Sequence, residues 1–144
     1  MRNITLVFGL IMLITGCQSN ESELESFDNG SRLPDDFVAF YTQFHKDSAF
    51  QMDHIVWPLQ GVPDNAGNRI TDQSFRWQKN NWRLMQPIDY ASSGYERSFL
   101  PMTDELIIEK IAHKNGSMAL IRRFAIISGE WHLIYYAGLN PIKD

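Results

Sequence analysis

The C-terminal segment constrains the fold of this chain more than any other part of the sequence. It holds three apolar stretches, at residues 105–114, 117–127 and 130–138. Asn115-Gly116 separates the first two stretches, and this dipeptide is a strong hairpin signal because both residues tolerate the positive φ of a type I′ turn. Ser128-Gly129 separates the second pair. The segment is therefore predicted to form a three-stranded antiparallel meander.

The two short turns also set the register of the meander, and with it the face on which each side chain lies. The first turn predicts that Glu109 lies opposite Arg122, and the second predicts that Arg122 lies opposite Tyr135. These three side chains would form a polar row across one face of the sheet. A longer second turn would turn the last strand over and remove Tyr135 from the row.

The rest of that face is apolar, with Ile107, Ile111, Leu120, Phe124, Ile126, Trp131 and Leu133. Two interpretations of the row are open. In the structural interpretation, which we favour, Glu109 and Arg122 form a partly buried ion pair capped by the Tyr135 hydroxyl. In the functional interpretation, the row lies at the bottom of a pocket and orients a ligand.

The opposite face of the meander is too apolar for a surface wholly exposed to water. Its apolar members are Ile108, Ala112, Ala119, Ile121, Ala125, Ile127, Ile134 and Tyr136. Either another segment of the chain covers this face, or a second copy of the protein does so in a homodimer.

An N-terminal helix is predicted to begin at Pro34, because proline lacks only an N–H that the first helical turn leaves unpaired. Its apolar face repeats at i, i+3, i+4 and i+7, with Phe37, Phe40, Tyr41 and Phe44. Residues 50–59 are predicted to form a strand, residues 75–86 a short hairpin, and residues 87–104 a long connection. The helix and the strands together predict an α+β fold.

The N-terminus has the three parts of a secretory signal peptide. Arg2 supplies a positive charge, and residues 4–14 form an apolar run that is too short to cross a bilayer. Residues 14–17 then resemble a lipobox, in which small residues precede a cysteine. We therefore expect residues 1–16 to be removed and Cys17 to become the lipidated first residue, which anchors the chain to the membrane.

Residues 17–33 contain little that could pack, and they are predicted to be a flexible acidic tether. Residues 34–144 then form a single domain. Glutamine, rather than aspartate, follows Cys17, which by family analogy disfavours retention at the inner membrane. We therefore expect a cell-envelope protein at the outer membrane, facing either the periplasm or the cell surface.

Composition excludes several classes of protein. A net charge of −4 argues against nucleic-acid binding, which needs a basic surface. Cys17 is the only cysteine, so no disulfide can form within the chain. The histidines are scattered, and the sequence contains neither CxxC nor HExxH. No metal and no other cofactor is therefore predicted.

Two apolar patterns in the sequence give a resemblance to a known family. They are Phe37-x-x-Phe40-x-x-x-Phe44 and Phe50-Gln51-x-x-x-Ile55-x-x-Pro58-Leu59, with Trp82 and a terminal strand at Trp131–Tyr135. Together they resemble a domain-of-unknown-function family of small bacterial lipoproteins with a nuclear transport factor 2-like (cystatin-like) cone-shaped fold. The resemblance covers residues 34–140, and it implies an N-terminal helix packed on a curved antiparallel sheet.

The resemblance does not decide the function, because this fold includes dehydratases, isomerases, polyketide cyclases and non-catalytic binding modules. We expect a non-catalytic envelope lipoprotein that binds a small ligand or a protein. Two alternatives remain open, an immunity-type inhibitor of a secreted toxin and a cyclase- or dehydratase-like enzyme. The sequence identifies no catalytic residue for such an enzyme.

Overall fold

A computed structural model describes residues 32–67 and 73–142, so the predicted signal peptide, Cys17 and nearly all of the tether lie outside the described residues. The helices are α1 (Asp35–Lys46) and α2 (Ser48–Asp53), and Lys79–Asn81 forms a 3₁₀ turn. The strands are β1 (Ile55–Val62), β2 (Arg76–Trp77), β3 (Tyr95–Thr103), β4 (Leu106–His113), β5 (Met118–Ile127) and β6 (Glu130–Pro141). None of the described helices has both the length and the apolar character needed to cross a bilayer.

The six strands form one curved, open sheet in the order β2-β1-β6-β5-β4-β3. The predicted α+β class is confirmed. The sheet is mixed rather than wholly antiparallel, because β1 runs parallel to β6 while every other neighbouring pair is antiparallel. A parallel pair needs a long connection, and β1 and β6 meet this condition because four strands separate them along the chain.

Helix α1 covers one face of the sheet, which we call the inner face. Its predicted apolar stripe is confirmed, since Phe37, Phe40, Tyr41 and Phe44 are all buried. The Phe37 ring meets Phe124 and Trp131 edge-on, with centroids 5.5 Å and 5.0 Å away. Such aromatic pairs add about 0.5–1.5 kcal/mol each to the burial of apolar surface. The stripe therefore fixes α1 across the middle of the sheet.

The folded domain begins earlier than the predicted boundary at Pro34. Leu33, which the sequence assigned to the tether, is 2% exposed and belongs to the core. It precedes Pro34, the N-cap of α1, and an apolar residue at this position commonly packs against the first turn of its helix. Leu33 is therefore part of the domain.

Residues 50–53 belong to a helix, so the predicted strand begins too early. The Asp47 carboxylate caps α2, accepting hydrogen bonds from the backbone N–H groups of Ala49 and Phe50 at 2.9 and 3.0 Å. A capped first turn favours the helix over the strand that the alternating pattern suggested. Strand β1 therefore starts only at Ile55.

Two further predictions between the helices and the meander are wrong. Residues 75–86 do not form a hairpin, because the short β2 pairs with β1. Residues 87–104 contain the complete strand β3 instead of a connection. Pro101 suggested a break in this segment, but β3 is the last strand of the sheet. An edge strand tolerates proline because its outward N–H groups need no ladder partner.

The meander is confirmed as β4, β5 and β6, but its first turn differs from the predicted type. Gly116 has a φ of 73°, whereas Asn115 does not have a positive φ. Asn115 instead accepts hydrogen bonds through its side-chain Oδ1 from the N–H and hydroxyl of Ser117, at 2.9 and 2.6 Å. Ser128 and Gly129 have φ values of 54° and 88°, as a type I′ turn requires.

The face of the sheet opposite α1, which we call the outer face, carries exposed apolar side chains. Leu100 is 51% exposed and Ile127 is 40% exposed. Leu100 pairs with Ile108 across β3 and β4, which extends the apolar surface predicted for the meander. Coverage of this face by a second copy of the protein stays a prediction.

Candidate binding site

The first hairpin brings Glu109 and Arg122 together, as the sequence predicts. They are cross-strand partners on β4 and β5, and Arg122 Nη1 donates to Glu109 Oε2 at 3.2 Å. Glu109 is 0% exposed and Arg122 is 4% exposed. Burial lowers the pKa of Arg122, but Glu109 and nearby tyrosine hydroxyls raise this pKa by more, so the guanidinium stays charged. The two residues form a buried ion pair.

Tyr135, the third member of the predicted row, lies on the outer face instead. Between Leu133 and Tyr135, the partners of Phe124 and Arg123, strand β6 carries an extra residue, Ile134, and the register shifts there. This β-bulge turns the following side chains to the other face. Tyr136 therefore lies opposite Arg122, while Tyr135 lies opposite Arg123, whose guanidinium carbon is 4.3 Å from the Tyr135 ring centroid. The predicted register is correct up to the bulge and wrong beyond it.

Helix α1 contributes two polar side chains that close over the ion pair. The Tyr41 hydroxyl donates to Glu109 Oε1 at 2.5 Å, and one turn later His45 Nε2 lies 3.1 Å from Arg122 Nη1. Burial and the Glu109 carboxylate raise the pKa of Tyr41 well above its usual value, so the hydroxyl keeps its proton. We call Tyr41, His45, Glu109 and Arg122 the polar cluster.

His45, like Tyr41, is a neutral member of the polar cluster. Its Nδ1 lies 2.9 Å from the Tyr41 carbonyl oxygen, which can only accept a hydrogen bond, so we place the ring proton on Nδ1. The lone pair on Nε2 then accepts from the Arg122 guanidinium. Burial and the positive charge of Arg122 lower the pKa of His45 to about 4.

Both acceptors of the polar cluster, the Glu109 carboxylate and the His45 ring, already receive hydrogen bonds from within the cluster. Glu109 accepts from both Tyr41 and Arg122, and the lone pair of His45 faces Arg122. A general base needs an available lone pair within reach of the substrate. The polar cluster is therefore suited to hold charged groups and hydrogen-bond donors in fixed positions.

A second guanidinium lies beside the polar cluster. Arg97, on β3, is half-buried. Its guanidinium carbon is 4.8 Å from the ring centroid of Tyr90, 5.1 Å from that of Phe99 and 5.6 Å from that of Tyr41. The negative faces of aromatic rings attract a cation at such distances. Burial and Glu109 raise the pKa of Tyr90, so this ring is uncharged.

Two buried side-chain N–H groups on the inner face have no hydrogen-bond partner among residues 32–67 and 73–142. They are Arg122 Nε and Trp82 Nε1. Tyr136 neighbours both residues, since it lies opposite Arg122 in the sheet and its ring centroid is 5.4 Å from that of Trp82. A buried donor without an acceptor costs about 1–3 kcal/mol. These two donors are therefore not satisfied by the residues that the structure describes.

Gln51 holds in place the segment that carries Trp82. Its buried side-chain amide donates to the carbonyl oxygens of Phe44 and Met85 at 2.8 and 3.0 Å, and its Oε1 accepts from the Met85 N–H at 2.7 Å. One side chain thus links both helices to the segment between β2 and β3. The segment that carries Trp82 is therefore held against the helices.

Sequence reasoning identified two of the four residues in the polar cluster. Tyr41 and His45 lie one helical turn apart, and a tyrosine on a buried helix face needs a partner for its hydroxyl. That signal was available in the sequence, whereas Arg97 fell in a segment predicted to be a connection. The described part of the chain contains no group of three or more His, Cys, Asp or Glu side chains that could hold a metal ion.

Neither a protein-family profile nor a curated protein sequence matches this chain. A cystatin-like protein from Bacteroides caccae is 19% identical, with a TM-score of 0.50 over 70% of this chain and 74% of that one. An NTF2-like protein from Bacteroides fragilis is 19% identical, with a TM-score of 0.47 over 74% of this chain and 48% of that one. This chain thus spans about half the length of the B. fragilis protein.

At these identities the likeness concerns the fold alone. Membership of the lipoprotein family suggested by the sequence stays a prediction. The structure has a helix packed on a curved, mixed six-stranded sheet, and it matches the B. caccae structure. The chain therefore has the cystatin-like fold, also called nuclear transport factor 2-like.

Proposed function

We propose that this chain is a lipid-anchored envelope protein whose domain binds a small ligand at the inner face without transforming it. The observation that carries the proposal is the pair of buried donors, Arg122 Nε and Trp82 Nε1, which have no acceptor among the described residues. About 90% or more of buried polar groups in proteins are hydrogen-bonded. A ligand with oxygen acceptors would supply what these donors lack.

The polar cluster supports binding over the cyclase- or dehydratase-like alternative. An enzyme of that type needs a base whose lone pair reaches the substrate. Glu109 already accepts two hydrogen bonds, and His45 accepts one from Arg122. These contacts favour a site that holds a ligand in place.

Trp82→Phe tests the binding site, because it keeps an aromatic ring and removes the unpartnered N–H. Trp57→Phe is the matched control, since the Trp57 ring is also half-buried but its N–H donates to the Met52 carbonyl oxygen at 3.1 Å. In the ligand-free protein, we expect Trp82→Phe to be more stable than Trp57→Phe by about 1–2 kcal/mol. Urea unfolding followed by circular dichroism measures this difference.

A bound ligand is expected to reduce the difference in stability between Trp82→Phe and Trp57→Phe. A small-molecule extract from the envelope of the producing bacterium should raise the Tm of the wild type and of Trp57→Phe, and raise that of Trp82→Phe less. Equal rises in the two variants would exclude the Trp82 N–H from the site. An unchanged wild-type Tm would count against a small ligand altogether.

The anchor in this proposal is supported by the sequence of residues 1–17. We expect Cys17→Ala to abolish acyl labelling and to move the protein from the membrane to the soluble fraction, because no lipid chain would remain to hold it. Metabolic labelling and fractionation measure both effects. Gln18→Ala, which keeps the cysteine, is the control. Membrane association that persists in Cys17→Ala would contradict the lipid anchor.

A further inference from the structure

Arg97 adds an unbalanced positive charge beside a polar cluster that is neutral overall. Within the cluster, the charges of Glu109 and Arg122 cancel in their 3.2 Å ion pair, and His45 is uncharged. Each oxygen of the Glu109 carboxylate accepts a hydrogen bond within the cluster, one from Tyr41 and the other from Arg122. Arg97 forms no salt bridge with any residue that the structure describes. The protein therefore leaves the Arg97 charge without a counter-ion there.

The surroundings of Arg97 combine this charge with apolar surface. Aromatic rings of Tyr90, Phe99 and Tyr41 lie within 4.8 to 5.6 Å of its guanidinium carbon. A guanidinium that rests on ring faces still presents N–H donors along its edge. Because Arg97 is half-buried, its charge is screened less than that of a surface side chain.

We infer that Arg97 binds the carboxylate of a small monoanionic ligand whose apolar part packs against Tyr90 and the neighbouring rings. This inference rests on the proposed binding function and names the class of ligand. A planar carboxylate fits the guanidinium edge with two parallel hydrogen bonds. One negative charge also balances the one unpaired positive charge, whereas a dianionic phosphate would leave an excess negative charge in a half-buried site.

Benzoate and benzamide test the inference, because they share a shape and only benzoate is charged at neutral pH. The full-length chain, purified in a mild detergent, is titrated with each compound and with inorganic phosphate by isothermal titration calorimetry. We expect benzoate to bind at least ~10-fold more tightly than benzamide and more tightly than phosphate. Equal binding of benzoate and benzamide, tighter binding of phosphate, or undetectable binding of benzoate would overturn the inference.

Variants of Arg97 show whether this side chain is the one responsible. Arg97→Gln is expected to raise the Kd for benzoate ~10-fold or more, and Arg97→Lys, which keeps the charge but loses the planar fork, by a smaller factor. Arg123→Gln is the matched control, because Arg123 also lies over a ring but on the outer face. If Arg97→Gln does not fold, the Kd of Arg97→Lys for benzoate tests the inference instead. An unchanged Kd in the Arg97 variants, or an equal rise in Arg123→Gln, would overturn the inference.

The outcome also separates this inference from the function on which it rests. If the envelope extract raises the Tm of the wild type while benzoate binds no better than benzamide, binding stands and the carboxylate assignment is wrong. If neither the extract nor benzoate binds, the proposed binding function and the carboxylate assignment are both wrong.

Discussion

Glu109→Gln and Arg122→Leu are each expected to destabilise the fold by about 3–5 kcal/mol. Glu109 is 0% exposed and Arg122 is 4% exposed, so the removal of one partner leaves the other charge buried without its counter-ion. Replacement of both residues by apolar residues of similar volume is expected to recover much of the loss, because the penalty for burying the charges disappears with them. Urea unfolding of the four proteins measures these differences.

A double-mutant cycle of the wild type, Glu109→Gln, Arg122→Leu and the variant that combines these two substitutions gives the coupling between the two residues. We expect a coupling energy above about 1.5 kcal/mol for this buried pair. Arg32 and Asp35 provide the control, since they form a 3.0 Å salt bridge with side chains that are 67% and 84% exposed. Their coupling is expected to stay below about 1 kcal/mol. Coupling near zero between Glu109 and Arg122 would contradict the ion pair.

His45 is expected to make the folded state less stable as the pH falls from 6.5 to about 4. In the unfolded chain His45 takes up a proton near its ordinary pKa of 6.5, whereas in the folded protein its pKa is about 4. Between these values the unfolded state binds more protons, so acid favours unfolding. The contribution of His45 is complete above pH 6.5, and we expect a loss of about 2–3 kcal/mol by pH 4.

His45→Gln isolates this contribution from that of other titrating groups. The glutamine oxygen can still accept a hydrogen bond from Arg122, but the side chain does not titrate. Chemical unfolding of both proteins at a series of pH values should give a flatter pH dependence for the variant in this window. Parallel curves for the wild type and His45→Gln would contradict the lowered pKa of His45.

The sequence predicted those parts of the site whose geometry depends on local turns. Asn115-Gly116 sets the register of the first hairpin, and the Glu109–Arg122 pair follows from it even though the turn is not of the predicted type. The aromatic stripe of α1 was equally accessible, because helical spacing alone selects one face. Local sequence patterns were sufficient to predict the structure wherever no contact with a distant part of the chain competes with them.

The remaining parts of the site depend on contacts that local patterns do not contain. The bulge at Ile134 depends on how β6 fits between two neighbouring strands, so Tyr136 could not be distinguished from Tyr135. Arg97 was missed because Pro101 reads as a break unless the strand is known to lie at the sheet edge. The position of Trp82 depends on Gln51, which the sequence placed in a strand.

The bulge in β6 also affects how this chain should be aligned with others of the same fold. Across Ile134, odd and even positions of β6 exchange their roles relative to the inner face, and this holds as far as Ala137, after which a second register shift occurs. A pairwise alignment without a gap would therefore match Tyr135 to the inner-face residue of a relative that lacks the extra residue. A comparison of site residues between Trp131 and Ala137 is sound only when a one-residue gap is placed at Ile134, so that Tyr136 is the residue compared.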